Sequence, residues 1–354
     1  MQLGLVGLPR VGKTTLFSAL VGKVVDRTYG KRETHVAVAK VPDPRLPDFT
    51  AIFQPKREIP ATVEYVDIAG LEAGAGKAGY DENFLKTLAQ TNALVLVLRG
   101  FDAEDGAAPD PVKEFVTAEE EFLLNDLGLV ERRLSRLEGQ IKKQKSPALE
   151  AEFKLMQMCF AVLEQEKPLR TMNIDLENEK LLRGFQFLSY KPLMVVINYG
   201  EEYAEKVSGW EAAIRTKLTE RSTILSLQAE IEAEIAQLEE ADRTAFLADL
   251  GIAEPAAHRV IRECYSLLNL ISFFTVGEDE CRAWTLTKGT NAVGAAGVIH
   301  SDLARGFIRA EVTRGSDMLE HRSLHVLKEK GLSRLEGKEY VVQDGDILVI
   351  RFAV

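Results

Sequence analysis

Cysteine is scarce in these 354 residues: Cys159, Cys264 and Cys281 are far apart and odd in number. That pattern offers neither a disulfide framework nor metal-ligand spacing, so the three are expected to be reduced thiols of a cytosolic protein. Also missing is any apolar run long enough to cross a bilayer. The chain opens directly into a strand, with no signal peptide, and a cytoplasmic location without membrane contact is expected. Positive charge is in deficit, at a net −10, which argues against a broad basic face for duplex DNA and leaves room only for local basic patches. His300, His321 and His325 show no metal-ligand spacing.

What is present, 46% apolar and 28% charged residues, is the balance of a soluble globular protein. The length predicts two or three domains. The most informative stretch is the first one. An apolar strand, Leu3 to Val6, runs into Gly7-Leu-Pro-Arg-Val-Gly-Lys-Thr14, which fits G-x-x-x-x-G-K-[ST], and Leu16 to Leu20 continue with helical periodicity. Gly7 and Gly12 let the loop, which also holds Pro9, Arg10 and Val11 and leads on to Thr15, curl so that its available N–H groups surround a phosphate at a helix N-terminus. Lys13 is expected to reach the β- and γ-phosphates and the Thr14 hydroxyl to ligate Mg²⁺.

Downstream, Val24 to Lys40 is polar, and a switch threonine for Mg²⁺ is sought there: Thr34 is the nearest candidate and Thr28 the second. Thr62 to Val66 alternates as a strand and leads into Asp67-Ile-Ala-Gly70, a D-x-x-G in which Asp67 holds Mg²⁺ through a water and the Gly70 amide meets the γ-phosphate. Leu71 follows where signalling GTPases place the glutamine that orients water. A leucine cannot bond water, so no catalytic residue is assigned and hydrolysis is expected to be slow. Gly74, Gly76 and Gly79 make the next segment flexible, as a nucleotide-sensing switch requires.

Ala93 to Leu98 and Lys191 to Ile197 are near-continuous apolar runs of buried parallel strands. Between them, after a Gly100 to Pro111 loop without histidine, the period changes. Leu127, Val130, Leu134, Leu137 and Ile141, then Leu149, Phe153, Met156, Phe160 and Leu163, recur at steps of three and four, predicting an antiparallel helical hairpin. Arg132, Arg133, Arg136, Lys142, Lys143 and Lys145 lie towards its tip and suit RNA phosphates or an acidic partner. Asn198-Tyr199-Gly200-Glu201 stands where GTPases carry N-K-x-D. Glu201 is one methylene longer than the guanine-reading aspartate, which weakens guanine selectivity. Thr223 to Leu227 is a last strand, and Leu227, Gln228 and Ala229 follow at the base-contacting turn. A helix is predicted over Ala229 to Leu250, another over Arg259 to Leu270, and a strand-rich module from Ser272 with a helix over Ala292 to Leu303.

Together with Pro42 to Leu46, Phe185 to Leu188, Arg282-Ala-Trp284, Gly306 to Ala310 and Asp344-Gly-Asp346, these residues resemble the Obg-like ATPase (YchF) family of translation-factor-class P-loop NTPases. The resemblance covers essentially the whole chain. It implies an α/β doubly wound parallel-sheet nucleotide domain (1–111 and 188–270), an inserted α-helical coiled coil (112–187) and a C-terminal α+β module (271–354) of TGS type with a ubiquitin-like β-grasp fold. It also implies ATP preferred over GTP, a hydrophobic residue for the catalytic glutamine, and association with ribosomes; Mg²⁺ is the expected cofactor, and the hairpin and the TGS-like module are the expected contacts with a ribosome or other RNA-protein particle. The chain departs from the family pattern at Arg10, where the family usually carries an asparagine that in related NTPases helps bind an activating K⁺. A fixed positive charge there counts against a K⁺ requirement. The family's switch threonine falls on Lys31, and the histidine that some members carry after the central strand is absent. These departures leave two expectations open: a slowly hydrolysing nucleotide switch, or a nucleotide-gated binding protein that does not hydrolyse.

Overall fold

The computed structural model describes all residues except 24–34, 69–81, Lys145, Leu250 and Val354. In chain order the strands are β1 (Gln2–Val6), β2 (His35–Lys40), β3 (Arg57–Ile59), β4 (Thr62–Asp67), β5 (Ala93–Gly100), β6 (Leu193–Tyr199), β7 (Ser222–Leu227), β8 (Leu270–Val276), β9 (Glu280–Thr287), β10 (Phe307–Arg314), β11 (Ser333–Glu336) and β12 (Asp346–Phe352). They form two six-stranded sheets, ordered β2-β4-β1-β5-β6-β7 and β11-β10-β12-β8-β9-β3.

Apart from residues 38–40 of β2 and 62–63 of β4, the first sheet belongs to a compact unit made of Met1–Ala37 and Glu64–Ala257. The β4–β1, β1–β5, β5–β6 and β6–β7 pairings are parallel. Residues of β5 and β6 are buried along almost their whole length, which follows from their unbroken apolar runs: a parallel strand covered by helices on both faces has no polar side to show. Because the strands are parallel, their carboxyl ends gather on one edge. Val6, Asp67, Asn198 and Leu227 all lie there, with Leu5 level with Asp67 and Asn198 level with Leu227. This edge is where open parallel sheets bind ligands.

The insert in this unit starts at Asp110, whose carboxylate caps the helix Pro111–Lys143 by accepting from Lys113 N at 3.0 Å. That helix runs 33 residues, about 50 Å at 1.5 Å per residue. It is answered by the helix Pro147–Leu163, a 3-10 turn at Leu169–Thr171 and a short helix, Leu176–Arg183. The expected hairpin is therefore asymmetric. Its core joins Val130 and Leu137 to Met156, Cys159 and Leu163, then closes with Leu182 and Phe187. Cys159 is one of those core residues, and burial pushes its thiol up to about 12.

A second compact unit combines Val38–Val63 with His258–Val354. The sequence had assigned 38–63 to the nucleotide domain. It groups with the C-terminal residues because β3 pairs in parallel with β9, Arg57 to Ile59 against Glu280 to Arg282. Phe49, on the helix Arg45–Phe53, meets Phe274 edge-on at 4.9 Å, and the Arg45 guanidinium is gripped by Asp43 and Asp344 at 2.7 Å each. Without β3 the order of the unit's own strands is fourth, third, fifth, first, second, with β12 parallel to β8. Helix Ala292–Ile299 packs on one face through Ala292, Ala295 and Ala296. This is the β-grasp arrangement.

Two predicted helices are each divided. Ala229 to Leu250 forms Ala229–Gln237 and Glu240–Asp249, because Leu238 is extended and the Arg243 guanidinium bonds the helix-end carbonyls of Ile235 and Leu238 at 3.2 and 2.9 Å. Ala292 to Leu303 breaks at His300, whose ring Nδ1 accepts from Asp302 N and caps the helix Ser301–Arg305.

Candidate functional site

Gly7 leaves β1 at φ +151°, and a Cβ on it would stand 2.3 Å from the Val97 carbonyl of β5, so only glycine lets the loop turn this close to the sheet. Gly12 ends the loop at φ +91°, and a Cβ there would meet the Asn198 amide at 2.2 Å. Between them Leu8 and Arg10 are exposed, Pro9 is partly exposed, Arg10 has a left-handed backbone (φ +65°), and Val11 is buried. Helix Lys13–Val21 follows, with Thr15 facing inward.

Lys13 is buried and its Nζ donates to the Gly7 and Leu8 carbonyls at 3.0 and 2.7 Å. Burial pushes the ammonium down to about 8, while the Asp67 carboxylate pulls the other way. At the end of β4, Asp67 is buried and its Oδ2 accepts from the Thr14 hydroxyl at 2.9 Å. Two oxygen donors a hydrogen bond apart, beside the Gly7 to Gly12 loop, fit a hard, oxygen-seeking cation such as Mg²⁺. Among the described residues no cluster of histidine, cysteine or carboxylate side chains makes another metal site.

Asn198 joins the loop to the far side of the edge. Its Nδ2 donates to the Val11 carbonyl at 3.0 Å and its Oδ1 accepts from Ala229 N at 2.9 Å. One buried amide thus holds the phosphate loop and the turn after β7 in fixed register. Glu201, in the short turn after β6, accepts a hydrogen bond from Gln228 Nε2 at 2.9 Å. Tyr199 packs against the apolar cluster that includes Ile197 and Leu98, and Leu227 is buried in β7, leaving its backbone at the edge. The structure brings Gly7, Pro9 to Thr15, Asp67, Asn198, Glu201, Gln228 and Ala229 to one edge of one sheet. Thr28, Lys31, Thr34, Gly70 and Leu71 lie outside the described residues.

Two contacts had no signal in the sequence. Arg10 pairs with Glu104 in the loop after β5, 94 positions away. Asp126, fully buried in the long helix, accepts from Leu188 N, Ser189 N and the Ser189 hydroxyl at 3.0, 2.7 and 2.7 Å, fastening the insert to the approach of β6. In the hairpin, Arg132, Arg136, Lys142 and Lys143 are exposed. Arg133 instead forms a two-pronged pair with Glu152 at 2.6 and 2.9 Å and faces the Phe185 ring, so it serves the hairpin's own packing. Lys145 is outside the described residues.

Residues 2–133 match the family described as 50S ribosome-binding GTPase, and residues 270–353 match the YchF-GTPase C-terminal family, described as a protein of unknown function. The chain is 40% identical to the ribosome-binding ATPase YchF of Haemophilus ducreyi, covering 100% of this chain and 99% of that protein. It is 39% identical to the protein of that name from Bacillus subtilis, over 100% of both. Among solved structures, the Schizosaccharomyces pombe YchF GTPase superposes with a TM-score of 0.87 at 27% identity, covering 99% of this chain and 97% of that one.

Proposed function

The chain belongs to the YchF family of P-loop nucleotide-binding proteins, and from that premise we propose that it is an ATP-preferring nucleoside triphosphatase of slow, Mg²⁺-dependent turnover, whose nucleotide state gates its docking on ribosomes or a similar RNA-protein particle. The observation that carries the reading is the junction of Lys13, Thr14 and Asp67 inside the Gly7 to Gly12 turn, with the Thr14 to Asp67 bond of 2.9 Å. In this reading the loop amides and the helix N-terminus bind the phosphates, and Lys13 exchanges its two carbonyl partners for phosphate oxygens. Thr14 and Asp67 hold Mg²⁺, which when bound offsets charge on the phosphate oxygens. Asn198 keeps the loop in register with the base-side turn, where Glu201 replaces the guanine-reading aspartate and supports ATP over GTP. Arg132, Arg136, Lys142 and Lys143 on the hairpin, and the C-terminal module, are the surfaces proposed for the particle. The names of the relatives, which describe them as ribosome-binding ATPases, support that partner.

Phosphate release from ATP, measured with and without ribosomes against a Lys13→Ala control, tests the reading. Release no faster than the control under both conditions would overturn its enzymatic half. Leu71, an apolar residue where water is usually oriented, favours a second reading, a nucleotide-gated binding protein that does not hydrolyse. Under it a non-hydrolysable ATP analogue supports every partner interaction that ATP supports, and a requirement for hydrolysis in partner release removes it.

A further inference from the structure

We infer that Gln228 reads the adenine base and that Glu201 acts on the base through it, by holding the Gln228 amide in one of its two orientations; the inference rests on the nucleotide site proposed above.

Gln228 stands between two fixed points. Leu227 before it is paired level with Asn198, and Ala229 after it donates its N–H to the Asn198 side chain at 2.9 Å. It occupies the residue before the helix Ala229–Gln237, yet its side chain makes no capping bond to that helix. Its amide is directed to Glu201 instead, Nε2 to Oε2 at 2.9 Å. An ionised carboxylate only accepts hydrogen bonds. The bond can therefore be made through Nε2 and not through Oε1, and the charge of Glu201 decides which way the amide faces.

Once Nε2 has given one hydrogen to Glu201, the amide keeps one N–H donor and the Oε1 acceptor side by side. That pair complements an edge with an acceptor next to a donor. Adenine offers N1 and the 6-amino group in that order, the same acceptor-beside-donor pattern as its N7 edge, where glutamine is a two-point partner in nucleic-acid recognition. Guanine has the reverse, an N1–H donor beside the O6 acceptor. Guanine would be served only by the flipped amide, which sets Oε1 against the Glu201 carboxylate and gives up a charge-assisted bond. The longer glutamate is thus not a weakened guanine reader. It is a positioning residue that orients another side chain.

The test is calorimetric titration of the full chain in Mg²⁺ buffer with ATP, GTP and inosine triphosphate. Inosine triphosphate carries guanine's O6 and N1–H but lacks the 2-amino group. The inference predicts that ATP binds roughly tenfold or more tighter than either, and that GTP and inosine triphosphate bind alike, because discrimination lies at the 1 and 6 positions. Gln228→Ala should weaken ATP roughly tenfold and leave the other two unchanged. Glu201→Gln keeps the size but lets the pair of amides face either way, so GTP and inosine triphosphate should rise to within about threefold of ATP. An unchanged ATP to GTP ratio in Gln228→Ala would overturn the inference, as would GTP binding more tightly than inosine triphosphate to the unmodified chain, the mark of a carboxylate reading the 2-amino group. Either result leaves the phosphate site standing if Lys13→Ala still abolishes binding. Failure of the unmodified chain to bind any of the three would overturn the nucleotide site itself and the inference with it.

Discussion

Gly12→Ala attacks the joint between the phosphate loop and β6, and the geometry sets the size of the effect. A side chain at φ +91° costs about 1–2 kcal/mol in backbone strain. The new Cβ would lie 2.2 Å from Asn198 Nδ2, so the amide must leave its place. With it go the bond to the Val11 carbonyl at 3.0 Å and the bond from Ala229 N at 2.9 Å. Losing the two buried bonds adds about 2–3 kcal/mol, for a total of about 3–5. Asn198→Ala alone loses the same bonds without the strain, about 2–3 kcal/mol. The double variant has no amide to displace and no bonds left to break. It should therefore be destabilised by about 3–5 kcal/mol, some 2–3 less than the sum of the single effects. Urea unfolding of the four proteins measures this directly. Additivity within about 0.5 kcal/mol would refute the reasoning, since it would mean that Gly12 and Asn198 do not share one space.

Other outcomes follow from the same structure. Burial pushes Lys191, whose Nζ donates to the Thr91 carbonyl, down to about 8. Above that pH the unfolded chain, with an ordinary lysine near 10.5, binds the extra proton, so this group makes stability rise from pH 8 to 10.5. Comparison with Lys191→Met in chemical denaturation should show that slope flattened, by up to about 3 kcal/mol across the window; a parallel pair of curves would contradict it. Asp126→Ala strands the N–H groups of Leu188 and Ser189 and should cost about 3–5 kcal/mol, read as a fall in the melting temperature. Arg10→Ala should leave the melting temperature unchanged, because the Arg10 to Glu104 pair is exposed, at 74% and 76% of the side-chain surface. If Arg10 stands in for a bound K⁺, phosphate release by the unmodified protein should run equally in Na⁺ and K⁺ buffers. Chelation of Mg²⁺ or Asp67→Ala should suppress that release, and release at full rate without Mg²⁺ would remove the Thr14 and Asp67 assignment.

The loop from Gly7 to Thr14 was legible in the amino-acid sequence because its pattern is contiguous: Gly7 and Gly12 set the backbone turn, Lys13 and Thr14 supply side chains right after it, and strand and helix flank them within a few residues. The buried runs of β5 and β6 were legible for a related reason, since a strand covered on both faces must be apolar at every position. The helical period exposed the insert but not its asymmetry, because the short helix Leu176–Arg183 is held by a core that its own few residues do not reveal. Residues 38–63 were placed with the nucleotide domain because nothing local ties them elsewhere. Only folding brings Arg57 beside Glu280, 223 positions on, and a three-residue strand such as β3 has too few alternations to declare its partner. At the site, Glu201 and Gln228 could each be named as belonging to the base-side turns, yet their hydrogen bond across 27 positions appeared only in three dimensions, as did the bond from Arg10 to Glu104. The sequence by itself determined which backbone can wrap a phosphate, because that depends on residues adjacent in the chain. The tertiary structure decided which side chains complete one another's hydrogen bonds, because β6 and β7 must first lie level before a carboxylate in the turn after one can orient an amide in the turn after the other.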